Sequence, residues 1–134
     1  MFCNCWSLET LDVSNWNVST VTNLSSMFSS CFSLKNLNIS NWYAPNVINV
    51  ANMFDYCYSL ENINITNLKP GKITSMSAMF RWCHSLKSIG NIDDWDTSEC
   101  TNFSAAFQDC QSLKIIPNIS NWDFSAATTT AGMF

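Results

Sequence analysis

The apolar positions of this chain fall into a pattern that returns every 26 or 27 residues. Met-Phe stands at 1, 27, 53, 79 and 133, and Ala106-Phe107 fills the one missing step. The third residue after each Phe is a cysteine (Cys5, Cys31, Cys57, Cys83 and Cys110), and each cysteine is followed by x-Ser-Leu. The whole unit reads M-F-x-x-C-x-S-L-x-x-L-x-I-S-N-W, then variable residues, then V-T-x-L-S-x before the next Met-Phe. Self-similarity of this kind marks an array in which no unit can bury its apolar side alone. The chain divides into a single repeat domain, 1–134, with units 1–26, 27–52, 53–78, 79–105 and 106–132 and the start of a sixth at 133–134. The extra residues of the fourth and fifth units are Gly90 and Pro117, placed where a bulge between a turn and a strand would absorb them.

Two hydrophobic periods alternate inside each unit. Leu37 and Ile39, like Leu11 and Val13 or Ile63 and Ile65, are two apart, which sets both on one face of a short strand. Val21, Leu24, Phe28 and Cys31 follow the i, i+3, i+7, i+10 spacing of a helical stripe, with Ser19 or Thr20 placed to cap its start. Ser33 and its counterparts Ser7, Ser59, Ser85 and Ser112 sit at the turn between the halves, suited to bonding local backbone. The pattern predicts an α/β fold, a right-handed leucine-rich-repeat-like solenoid with a parallel sheet of short strands on one side and short helices on the other. Ala127 and Thr130 replace the stripe's Val and Leu in the fifth unit, so the core is expected to thin there.

Composition narrows the function classes. Charged residues make up 12% of the chain and the net charge is −4, so solvation rests on Asn, Ser and Thr, and no basic patch exists to hold a nucleic-acid backbone. No apolar run approaches the roughly 20 residues that span a bilayer, so no direct membrane insertion is expected of this segment. No secretory signal is visible, which leaves a cytoplasmic chain or an internal piece of a longer exported protein, and Met-Phe at both ends favours the second.

With Met-Phe, the cysteine, Ser-Leu and Ser-Asn-Trp in register, the chain resembles the leucine-rich-repeat-like units of BspA-type bacterial surface proteins. It is especially similar to a Mycoplasma lipoprotein repeat family of unknown function. The resemblance covers essentially the whole chain. It implies an exported, wall-attached or lipid-anchored protein, at the cell surface or secreted, whose array binds host matrix proteins or other surface partners, with no catalytic residue and no cofactor.

The candidate chemistry agrees with a non-enzymatic module. His84 is the one histidine and has no Ser or Cys nucleophile at a diagnostic spacing. Five of the seven cysteines form a one-per-unit ladder, which reads as small buried hydrophobes rather than a disulfide or metal array; Cys100 replaces a stripe valine, and Cys3 alone lies outside the pattern as the reactive thiol. Asp93, Asp94, Asp96 and Glu99 could hold calcium but lack the glycine and spacing of an EF-hand, so they read as a solvated loop. Trp16, Trp42, Trp95 and Trp122 recur in register with Leu68 in the third unit, a substitution that marks core.

The informative position follows each ladder cysteine and holds Trp6, Phe32, Tyr58, His84 and Gln111, while the position before the cysteine adds Tyr56 and Trp82. Stacked units would align these rings into a strip along one edge. Trp6, Phe32, Tyr56, Tyr58, Trp82 and His84 are therefore the candidate partner-binding residues, for a protein or a glycan. The alternative is that the rings only cover one another. Outward strand positions such as Asn36, Asn38, Asn62 and Asn64 form a second candidate surface, or else an amide ladder between strands. Adhesion or protein binding leads, beside a structural spacer that binds nothing and an intracellular scaffold suggested by the unpaired thiols.

Overall fold

The computed structural model describes residues 1–134. Its regular elements are two strands, β1 (Thr10–Asp12) and β2 (Asn36–Asn38), paired parallel with Leu11 opposite Leu37. Isolated parallel bridges extend that row from Asn36 to Asn62 and from Asn62 to Ser88. A second row joins Asn23, Asn49, Ser75, Asn102 and Thr129 on another side of the units. Every partner lies 26 or 27 positions away, so the sequence repeat is also the pairing register. No helix is long and apolar enough to cross a membrane.

The expected α/β solenoid, with short helices opposite the sheet, is overturned. No helix forms, and the strand half is reduced to β1, β2 and single bridges. The reason lies in where the backbone N–H groups go. Leu24, Ser26, Phe28 and Ser30 donate outward to Asn49, Ala51, Met53 and Asp55 of the next unit at 2.7–3.0 Å. The N–H groups between them, on Met27, Ser29 and Cys31, fold back to the carbonyls of Leu24, Ser26 and Phe28, three residues behind. A helix needs consecutive bonds to the fourth residue behind, and none of these groups is left to make one.

Left-handed residues enforce the alternation. Ser26 (φ 55°) and Ser30 (φ 60°) lie in the positive-φ region, as do Asn52 and Tyr56, Ala78 and Trp82, and Ala105 and Asp109 in the following units. An α-helix cannot pass through such residues. The chained turns nevertheless deliver Leu24, Phe28 and Cys31 to one interior, where all three are buried. That is why the helical spacing misled. At the turn serines the main chain also links units: the backbone N–H of Ser33, Ser85 and Ser112 reaches the carbonyl of Trp6, Tyr58 and His84 in the preceding unit.

One core of 35 buried residues runs through the stack and is organised in columns. Phe2, Phe28, Phe54, Phe80, Phe107 and Phe134 stack with centroids 5.1–5.7 Å apart and planes 4–12° from parallel. Each such contact adds about 1 kcal/mol beyond the area it buries. Beside it runs the cysteine column, in which the Sγ of Cys31, Cys57, Cys83 and Cys110 donates to the carbonyl of Phe2, Phe28, Phe54 and Phe80 at 3.1–3.2 Å. The carbonyls of Phe28, Phe54 and Phe80 also accept the backbone N–H of Cys31, Cys57 and Cys83, so both lone pairs are used. This explains a thiol where another small hydrophobe would fill the space. Trp42 and Trp122 are core as expected and also donate Nε1–H to Val13 and Ile92 of the preceding unit at 2.9 Å. Trp95 and Leu68 are buried too, whereas Trp16 in the first unit is 42% exposed.

Gly90, the inserted residue of the fourth unit, has φ 82°, and a Cβ there would meet Thr66 Oγ1 at 2.6 Å. Only glycine fits that approach. Local side-chain bonds fix the remaining corners. Asn38 and Asn64 accept the N–H two residues ahead at the end of the strand, and Asn23, Asn49 and Asn102 do the same at the second bridge row. The recurring asparagines are thus turn-formers rather than rungs of a continuous amide ladder.

Aspartate takes the same role at Asp12, Asp96 and Asp123. The Ser14 N–H beside Asp12, the Ser98 hydroxyl beside Asp96 and the Ser125 N–H beside Asp123 hold these carboxyls below the usual range. A depressed folded-state value contributes stability above the ordinary carboxylate pKa, and that contribution is lost as pH falls through the folded value. Asparagine already fills this slot in other units, so the triple substitution Asp12→Asn, Asp96→Asn, Asp123→Asn should preserve the fold and flatten the acid limb of thermal stability measured by circular dichroism.

Candidate binding surface

The six candidate residues come together in one strip of two columns. Trp6, Phe32, Tyr58 and His84 form the first, with successive centroids 6.0, 5.2 and 5.2 Å apart. Tyr56 and Trp82 form the second, 6.1 Å apart and 14° from parallel. The columns touch where Tyr56 meets the edge of Tyr58 at 5.8 Å and Trp82 meets His84 at 5.3 Å. Trp6 is 60% exposed, and the other five are half-buried, so the strip is accessible along its edge while ring faces pack on neighbours. His84 carries a buried Nε2 with no hydrogen-bond partner.

Backbone conformation separates the columns. Tyr56 (φ 60°) and Trp82 (φ 62°) occupy the left-handed slot before the ladder cysteine, which Asn4, Ser30 and Asp109 fill in the other units. Asn and Asp enter that region more readily than bulky aromatics, for which it costs about 1–3 kcal/mol.

Sequence reasoning missed the charged anchor of this strip. Asp55 and Arg81 occupy the position after the Phe in consecutive units, and Arg81 donates Nε–H to Asp55 Oδ1 at 2.9 Å and Nη2–H to Oδ2 at 2.7 Å. Asp55 is 4% exposed. The Arg81 guanidinium also lies over the Tyr56 ring, 5.1 Å from its centroid, and the bond to Asp55 raises its pKa. The missed signal was opposite charge at the same repeat position, which also pairs Glu9 with Lys35 and Glu61 with Lys87.

The other candidates separate. The acidic cluster does not converge: Asp94 pairs with Lys69, Glu99 with Lys72, and Asp96 caps its own turn. Cys31, Cys57, Cys83 and Cys100 are buried, Cys5 and Cys110 are half-buried, and Cys3 is exposed. Burial pushes the Cys31 thiol up to about 11 and Cys110 to about 12, and raises Cys57, Cys83 and Cys100. Iodoacetamide at neutral pH should therefore label Cys3 in the native protein and reach Cys57 and Cys83 only on unfolding, as read by peptide mass spectrometry.

The ion pair gives a second expectation. Arg81→Met leaves Asp55 buried without a partner and should cost about 3 kcal/mol in urea unfolding. Adding Asp55→Ser, the residue at the equivalent position Ser29, should recover most of that loss.

A family model described as Mycoplasma protein of unknown function, DUF285, matches residues 1–114 and, in a second register, 59–134. No curated protein and no solved structure matches the chain.

Proposed function

Because the chain belongs to the Mycoplasma DUF285 family, whose function is unknown, we propose that it is a non-catalytic interaction module that acts at the cell surface in adhesion, binding a protein partner through the aromatic strip. The observation that carries this reading is the pair Tyr56 and Trp82. Both rings stand where the backbone favours Asn or Asp, so backbone preference gives no reason for aromatics there. Together with Tyr58, His84 and the Arg81 guanidinium they offer rigid, amphipathic contact area of the kind that dominates protein interfaces. Mutual stacking of the ring faces favours the spacer reading instead, and the two make opposite predictions.

The double substitution Tyr56→Asn, Trp82→Asn places turn-compatible residues in the left-handed slots. On the binding reading its melting temperature equals or exceeds that of the parent, while affinity for immobilised extracellular matrix proteins falls about tenfold or more in surface plasmon resonance. On the spacer reading the parent binds none of them, and the double variant melts lower because stacking is lost.

A further inference from the structure

We propose that the outer face of the β1–β2 row is a second binding site, whose ligand is a neutral, linear polysaccharide lying across the strands. An open groove of about 540 Å³ runs over this face. Two rows of side chains line it: one begins Thr10, Asn36, Asn62, and the other Asp12, Asn38, Asn64. This site does not depend on the aromatic strip, and either can fail without the other.

The rows differ in what they leave free. In the second row, Asp12, Asn38 and Asn64 each accept the N–H two residues ahead through Oδ1 at 3.0–3.3 Å, which fixes the plane of the carboxylate or amide. Free rotation is removed before any ligand arrives, and the second oxygen or the Nδ2–H₂ group keeps a set direction. In the first row, Asn36 makes no side-chain hydrogen bond within the protein, and Asn62 uses only Oδ1, which accepts the Ser88 hydroxyl at 2.9 Å. Its floor thus offers both donors and acceptors, the match for sugar hydroxyls that do both.

Charge and spacing choose the class of ligand. The charged residues flanking the first row neutralise one another, Glu9 with Lys35 at 3.1 Å and Glu61 with Lys87 at 2.6 Å. A polyanion finds no free cation here, and Asp12 is the one charge among the groove residues. The rows advance by one strand spacing, roughly 4.8 Å per rung, whereas an extended peptide advances about 3.4 Å per residue and repeats its side-chain direction at twice that. A peptide crossing the strands therefore drifts out of register within a few rungs. A chain of pyranose rings advances by close to one rung per ring. No strand edge is offered along this line, so a peptide cannot compensate by pairing its backbone.

Titration of the purified chain with neutral β-linked glucan oligomers of increasing length, followed by calorimetry and amide NMR shifts, tests the assignment. Association should tighten with each added sugar until the rungs from Thr10 to Ser88 are spanned, with shifts centred on Asn36, Asn38, Asn62 and Asn64. Asn36→Ala with Asn62→Ala, neither of which caps a turn through its side chain, should leave the circular dichroism spectrum unchanged and weaken binding about tenfold or more. Tyr56→Asn with Trp82→Asn should leave it intact. Absence of binding by every oligomer, tighter binding of a sulfated or carboxylated chain, persistence in the asparagine variant, or a polar peptide taking the groove in place of the glucan would each overturn the proposal.

Discussion

The interaction on which everything else depends is the backbone hydrogen bond passed from one unit to the next. In the turn half, the N–H groups of Leu24, Ser26, Phe28 and Ser30 are satisfied by the following unit. Each bond contributes about 1 kcal/mol net, but a buried N–H left without one costs more than that. The unit therefore has no stable form by itself: its polar backbone and its apolar side both require a neighbour in the same register. Phenylalanine stacking and the thiol-to-carbonyl bonds follow from this, because they form only when equivalent residues of consecutive units lie over each other.

Register converts a position in the repeat into a position on the surface. A residue meets its counterparts 26 or 27 places away, and each variable position becomes a column whose chemistry is set by a handful of residues. The column after the Phe reads Cys3, Ser29, Asp55, Arg81 and Gln108, and its one pair of opposite charges forms the ion pair on the buried Asp55. The column after the cysteine becomes a row of rings. Substituting one residue changes one rung and leaves the scaffold bonds, which are mostly main-chain, in place. A surface built this way can vary without refolding.

Much of this architecture is legible in the sequence. The repeat gave the pairing register, the core positions of Trp42, Trp95, Trp122 and Leu68, the burial of the three inner ladder cysteines Cys31, Cys57 and Cys83, and the convergence of all six aromatic candidates. The helix half was not legible, because Leu24, Phe28 and Cys31 have the same spacing whether they line a helix or a chain of turns. The deciding information sat at residues of no hydrophobic interest: Ser26, Asn52, Ala78, Ala105 and Gly132, all with positive φ. Gly132 and Asn52 hinted at it, whereas Ala78 and Ala105 argue for a helix by propensity. The packing of neighbouring units overrides that preference. Asp55 and Arg81 were missed for a different reason, since their pairing appears only when charges are compared across the repeat instead of along the chain.

Both candidate surfaces share an electrostatic character that follows from the same register. Five of the six basic side chains are paired with carboxylates of adjoining units, which leaves Lys114 outside these pairs. The exposed pairs add little stability, about 0–1 kcal/mol each, yet each removes a cation from the surface that could attract an anionic ligand. A molecule approaching either surface meets no free cation, so recognition comes from contact: ring edges and a shielded guanidinium on one surface, oriented amides on the other. Such contacts are short-ranged and individually weak. An array that repeats them at a fixed interval gains strength by adding rungs under one continuous ligand, and the inter-unit backbone bonds hold that interval constant.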